Sequence, residues 1–213
     1  MGVCDANYKF TFVDIGTNGR ISDGGVFNKC PLARALEENT LGIPEPEECA
    51  GFSKKMPYVL VADDAFPLKT YLMKPFPKSN LTTIHRIYNY RLSRARRVVE
   101  NAFGIMANRF RILLQPLNLD IEKIEEIVWT CCCLHNFLRD TSGNDSESDK
   151  EGDVGNFVPG SWRQEAISQG SFVSLARLHG QRLPSAAKSV REDFARYFSG
   201  HGAIPWQEKY AKK

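Results

Sequence analysis

Tyr58-Val59-Leu60-Val61-Ala62-Asp63-Asp64 is the stretch on which the fold turns. Its first five residues form an uninterrupted apolar run of strand length. That pattern suits a strand buried on both faces, where no polar alternation is needed. The run ends in two acids, so Asp63 and Asp64 stand at a strand tip. Pro67 follows, and Leu68–Met73 is read as one short helical turn.

Upstream, Gly2–Cys4 and Phe10–Ile15 read as two short strands joined by Asp5-Ala6-Asn7, a turn sequence, which predicts a hairpin. After a loop at Gly16–Gly19, Ser22 or Asp23 caps a helix through Val26, Phe27, Leu32, Ala35 and Leu36. Pro44–Pro57 reads as loop. Downstream, Thr82 or Thr83 caps a long helix over Ile84–Phe110, with a stripe of Ala95, Val98, Val99, Ala102, Phe103, Met106 and Phe110. Asp120 caps a second helix, Ile121–Leu138, with Ile124, Ile127, Val128, Cys131, Leu134 and Leu138 inward. Trp129 is expected in the core or a domain contact. Strands and helices in this order predict an α/β layered domain over residues 1–140. An acidic Ser/Gly linker over 141–159 follows, then a small tail over 160–213 with one helix near Ser185–Phe198.

Composition is ordinary for a globular chain, with 42% hydrophobic residues in 213. No apolar run reaches the roughly 18 residues of a membrane-spanning helix, so no membrane role is expected. Met1-Gly2 begins a myristoylation pattern, but Ala6 stands where that pattern wants Ser or Thr. Three of the six cysteines are consecutive, Cys131, Cys132 and Cys133. Adjacent helical positions point around the axis and cannot converge on one zinc ion, so they are read as packed thiols in a reducing compartment, with His135 structural.

The net charge of +3 hides an asymmetry. Ten Lys or Arg and one acid, Glu100, lie between Lys69 and Arg111, while five acids and one Lys lie between Gly143 and Asp153. The basic block suits a polyanion, with Arg86, Arg91, Arg94, Arg96 and Arg97 as DNA-contact candidates. The same arginines also fit a solvated helix face. Asp63 at a strand tip and Glu100 on the following helix offer hard oxygen ligands to Mg²⁺ or Mn²⁺, and two such ions can activate water against a phosphodiester. The competing reading is a turn-capping Asp63 and a Glu100 paired with Arg96 or Arg97. Residue types alone leave both readings open.

Longer words go further. VLVADDAFPL (59–68), YNYRLSRARRVVENAFGIMANRFRIL (88–113), IVWTCCCLHNFLRD (127–140) and FTFVDIGTNGRISDGGVF (10–27) resemble, in order, motifs of the PIF/Harbinger DDE transposases and the nucleases derived from them. VREDFARYFSGHGAIPWQ (190–207) resembles the end of many members. The resemblance implies an RNase H-like DDE nuclease fold, a divalent-metal site (Mg²⁺ or Mn²⁺) and DNA strand cleavage. It makes Asp63 the second catalytic Asp and Glu100 the catalytic Glu, both as metal ligands. Asp64 is the lesser candidate, and Asp23 matches a helix-start Asp read first as a cap and second as a site residue. It also implies a nuclear location, and allows a cytoplasmic share and a separate Myb-like DNA-binding partner.

One part of the family pattern has no counterpart here. The first catalytic Asp lies on a central strand in an Ile-Asp-Gly-Thr-His-like segment, and these 213 residues contain none. The expectation is therefore an incomplete nuclease domain, begun inside the next strand, whose isolated chain does not cleave DNA. A non-catalytic DNA- or protein-binding remnant is the alternative.

Overall fold

The computed structural model describes residues 1–17, 21–141, 150–151, 156–160, 162–163 and 184–211. The chain divides into two compact units, residues 1–21 with 97–175 and residues 22–96 with 176–213. The architecture is mixed α/β, and its described strands pair two by two rather than in one broad sheet.

In the first unit, β1 (Gly2–Cys4) and β2 (Phe10–Val13) form the expected antiparallel hairpin. The Asp5 carboxylate accepts from the amides of Asn7 and Lys9 at 2.9 and 3.0 Å, which closes the turn. Tyr8 pays for that closure with a left-handed backbone, φ 65°. The second half of a long helix, α3 (Thr83–Arg109), and α4 (Ile121–Thr141) cover the hairpin. Phe10, Ala102, Met106, Cys131 and Cys132 make the buried core, flanked by Phe103, Phe110, Ile127 and Val128. Cys131 and Cys132 thus pack as predicted, whereas Cys133 is exposed. Burial, then the negative charges beside it, pushes the Cys4 thiol up to about 12.

Side chains of α4 take the place of a strand neighbour. Asn136 accepts from the Phe10 amide and donates to the Phe10 carbonyl, both at 2.8 Å. His135, almost fully buried, donates from Nε2 to the Tyr8 carbonyl at 2.8 Å, confirming a structural histidine. Arg139 donates to the Asn7 carbonyl at 3.2 Å. The opposite face of α4 departs from expectation: Trp129, Leu134 and Phe137 are exposed. Further on, in the segment expected as linker, β7 (Lys150–Glu151) and β8 (Phe157–Val158) pair antiparallel. Residues 142–149 and 152–155 of that segment lie outside the described residues.

In the second unit, Ser22 is the cap, its hydroxyl accepting from the Gly25 amide at 3.3 Å. Asp23 is the first residue of α1 (Asp23–Lys29). The single helix expected over 22–36 is two. Pro31 forces Cys30 into extended backbone, and α2 (Pro31–Glu37) restarts with the Cys30 sulfur accepting from the Ala33 amide. Within the expected 44–57 loop, β3 (Glu47–Glu48) pairs with β4 (Lys55–Met56).

The deciding stretch forms a shorter, more open strand than its apolar run suggests. β5 is Leu60–Val61, paired in parallel with β6 (Leu72–Met73), and Tyr58 and Val61 are exposed. It is not buried on both faces, because among the described residues it has one strand neighbour. Residues 68–73 are likewise not helical. Lys69 and Leu72 exchange backbone hydrogen bonds at 3.0 and 3.2 Å and turn the chain into β6.

The first half of α3 and α5 (Ser185–Ser199) close this unit over Leu68, Met73, Phe76, Tyr88, Leu92, Ala187 and Ala195. Ala95, expected in the helix stripe, is exposed. Asn89 repeats the device of Asn136, accepting from the Phe76 amide at 2.8 Å and donating to its carbonyl at 3.0 Å. The tail ends in α6 (Gln207–Ala211), anchored by buried Gln207, with Trp206 half-buried beside it.

Candidate functional site

Asp63 leaves β5 into a tight turn. Its Oδ1 accepts from the Ala65 amide at 2.9 Å and its carbonyl from the Phe66 amide at 3.4 Å. Oδ2 faces Arg96 Nη2 at 3.8 Å, an ion pair with both groups partly exposed. The turn-capping role expected of Asp63 is therefore present, and Arg96, expected beside Glu100, faces Asp63 instead.

Lys74 fixes the turn from below. Its ammonium donates to the Asp64 carbonyl at 2.9 Å and to the Phe66 carbonyl at 2.7 Å. Burial lowers its pKa, and the charge of Asp64 counters that. Lys74→Met keeps the stem but removes both bonds. It should loosen residues 63–66 and destabilise the protein by about 1–3 kcal/mol, with faster amide exchange at Ala65 and Phe66 as the measurement. Unchanged exchange there would refute this role.

Asp23, expected first as a cap and second as a site residue, lies in the same unit as Asp63 and feels its charge. The start of α1 lies against the 63–67 turn so closely that a Cβ on Gly24 would sit 2.6 Å from the Ala65 carbonyl oxygen. The Asp23 carboxyl is raised above its ordinary value, by burial first and by the negative charge of Asp63 second. A carboxyl raised by burial and by a neighbouring negative charge is relieved when a divalent cation binds beside it. The signal was legible in Ser22-Asp23-Gly24-Gly25: the acid at a helix start is followed by glycines that allow close approach. The carbonyl of the adjacent Asp64 accepts from Lys74.

Glu100 is exposed on α3, in the first unit, whereas Asp23 and Asp63 belong to the second. Among the described residues no group of three His, Cys, Asp or Glu is gathered as a metal cluster. The donor set of Asp23 and Asp63 nevertheless suits a hard cation such as Mg²⁺, which takes one or two protein carboxylates and keeps waters for phosphate.

The arginines divide. Arg91 is committed within its unit: it donates to the Gly202 carbonyl at 3.0 Å and to Gln207 Oε1 at 3.2 Å, and lies over the Phe198 ring at 4.7 Å. Arg96 faces Asp63. Arg94 stands over the Tyr90 ring at 5.6 Å. Arg86 is exposed and Arg97 half-buried.

Residues 1–136, more than half of the chain, match the family model described as DDE superfamily endonuclease. The chain belongs to that family. This DDE-family chain is also 29% identical over 137 residues to the human and bovine proteins named "Putative nuclease HARBI1", covering 63% of this chain and 35% of theirs. It is 24% identical over 139 residues to "Protein ALP1-like" of Arabidopsis thaliana, covering 65% of this chain and 34% of that protein. It thus spans about a third of the length of the curated relatives it matches. The Harbinger-derived nuclease resemblance is confirmed by these matches. No solved structure matches significantly. No described helix of this DDE-family chain is long and apolar enough to cross a membrane.

Proposed function

We propose that this chain is part of an RNase H-like, metal-dependent DNA endonuclease or transposase-derived nuclease, and that Asp23 and Asp63 hold its divalent cation. The observation that carries this is the close approach of α1 to the 63–67 turn at Gly24, with Asp23 raised by burial first and by the charge of Asp63 second. Glu100 enters from its motif, thirty-seven residues after Asp63. When bound, Mg²⁺ or Mn²⁺ would activate water and stabilise the leaving oxygen of a phosphodiester. Asp63 orients its outward oxygen through the Ala65 amide, and Arg96 offsets its charge until a cation does so. Arg86, Arg94 and Arg97 contribute charge toward the DNA backbone. On this reading cleavage also needs the family's first Asp, which is not among these 213 residues. Nuclear location and a Myb-like partner are proposed on the family resemblance.

The second reading is DNA binding without a metal, favoured by the exposed Arg86 and the half-buried Arg94 on α3. One experiment separates the two. Duplex DNA binding is measured at low salt with EDTA and with Mg²⁺. A Mg²⁺-dependent gain in affinity, lost in Asp63→Asn and Asp23→Asn, supports the cation site. The same affinity in both buffers and in both variants would sink it in favour of the second reading.

A further inference from the structure

A short segment of the first unit is docked on the helix face that carries Glu100. Beyond β8, residues 160–163 make a single turn, in which the Arg163 amide donates to the Gly160 carbonyl at 3.1 Å. Trp162 lies flush on α3 at the buried Gly104, so closely that a Cβ there would collide with the indole ring. Arg163 stands over the Trp162 ring at 4.5 Å and donates to Oδ1 of the buried Asn101 at 3.4 Å. Glu100, Arg97, Gly104 and Asn101 fall within an arc of about 100° at 3.6 residues per turn. Trp162 and Arg163 therefore cross the face of α3 on which Glu100 stands, about one turn further along.

This strap is fastened imperfectly. The Trp162 indole nitrogen is buried and has no hydrogen-bond partner among the described residues. A buried N–H left unpaired opposes docking, because water satisfies it once the ring lifts away. Packing on α3 and the Arg163 contact hold the ring down against that cost. Arg163 reaches the neutral Asn101 amide through a long bond, whereas a DNA phosphate offers its guanidinium a charged, bidentate partner. One helical turn is about 5.4 Å and a DNA major groove about 12 Å across, so DNA seated at Glu100 also meets the strap.

We propose that Trp162 and Arg163 form an autoinhibitory strap across the Glu100 face of α3, and that duplex DNA opens it by drawing Arg163 onto its phosphates. This rests on the reading of the Glu100 face as the one that meets DNA. It needs no metal, so it is tested in EDTA.

The test uses the whole chain labelled with 5-fluorotryptophan and a short duplex at low salt. The three tryptophans give three fluorine resonances, and Trp162→Phe assigns that of Trp162. Trp129, exposed on α4, marks the solvent-exposed position. Saturating DNA should move the Trp162 resonance toward that position. Gly104→Ala suits a helix and sets its new methyl against the indole ring, so it should move the resonance without DNA. Gly104→Ala and Trp162→Ala should each raise duplex affinity about three- to tenfold, because DNA no longer has to open the strap. Duplex that binds while the Trp162 resonance stays in place would overturn the proposal, as would two variants that bind no better than the parent. In those cases Trp162 only anchors the chain. A duplex that does not bind the parent at all would sink the DNA-binding reading together with the strap.

Discussion

Asn136→Ala is expected to destabilise the protein by about 2–4 kcal/mol, because it strands two backbone groups of one buried residue. Phe10 is 7% exposed, and Asn136 satisfies both its amide and its carbonyl at 2.8 Å. A buried polar group left without a partner costs far more than a net hydrogen bond contributes. The neighbouring ion pair of Lys9 and Asp140 is exposed and contributes little by comparison. Urea denaturation followed by circular dichroism measures the difference. Asn136→Asp should do no better, since an ionised carboxylate cannot donate to the Phe10 carbonyl. A loss below about 1 kcal/mol would mean that another group takes over the Phe10 backbone.

Gly24→Ala pits two effects against each other. Alanine in place of glycine inside a helix is worth about 0.5–1 kcal/mol of stability. The new methyl, however, would meet the Ala65 carbonyl oxygen at 2.6 Å. Both contacting parts are backbone-anchored, so neither can rotate away, and overpacking of this kind costs about 1–3 kcal/mol. The clash wins, giving a net loss and a wider gap between α1 and the 63–67 turn. Asp23 should then move back toward its ordinary pKa as Asp63 recedes. A variant more stable than the parent would show that α1 does not sit where the geometry has it.

The sequence shows the parts of this protein whose pattern is local. The hairpin at Asp5-Ala6-Asn7, the Thr82 hydroxyl that accepts from the His85 amide at the start of α3 and the packing of Cys131 and Cys132 all follow from residue type and spacing. Pro31 was readable too, as a residue that extends Cys30 and ends α1, but the apolar spacing across it suggests one continuous helix. What the sequence hides is non-local. The apolar run at 58–62 gives no count of strand neighbours, and with one of them Tyr58 and Val61 stay exposed. The roles of Asn89 and Asn136 as strand substitutes depend on which backbone reaches them. Trp129 and Leu134 sit at helical spacing on α4 and still face outward, since hydropathy does not say which side is covered. At the candidate site, Asp63 and Glu100 were singled out by their motifs, and the structure shows Asp63 as a turn cap facing Arg96 and Glu100 exposed on α3. Asp23 reads first as a cap, and its closeness to the 63–67 turn shows only once α1 is placed against that turn.

Carboxyl-carbon NMR shows whether Asp23 feels the charge of Asp63 and whether both bind a cation. The sign is definite. A carboxyl raised in the folded state holds its proton more tightly there than in the unfolded chain. Its contribution to stability is therefore present below its unfolded pKa and lost as pH rises through its folded value. The account predicts that Asp23 titrates above the ordinary carboxylate range, that Asp63→Asn brings it down, and that Mn²⁺ broadens both resonances in the parent protein. An Asp23 that titrates identically with and without the Asp63 charge, and resonances that Mn²⁺ leaves sharp, would contradict it.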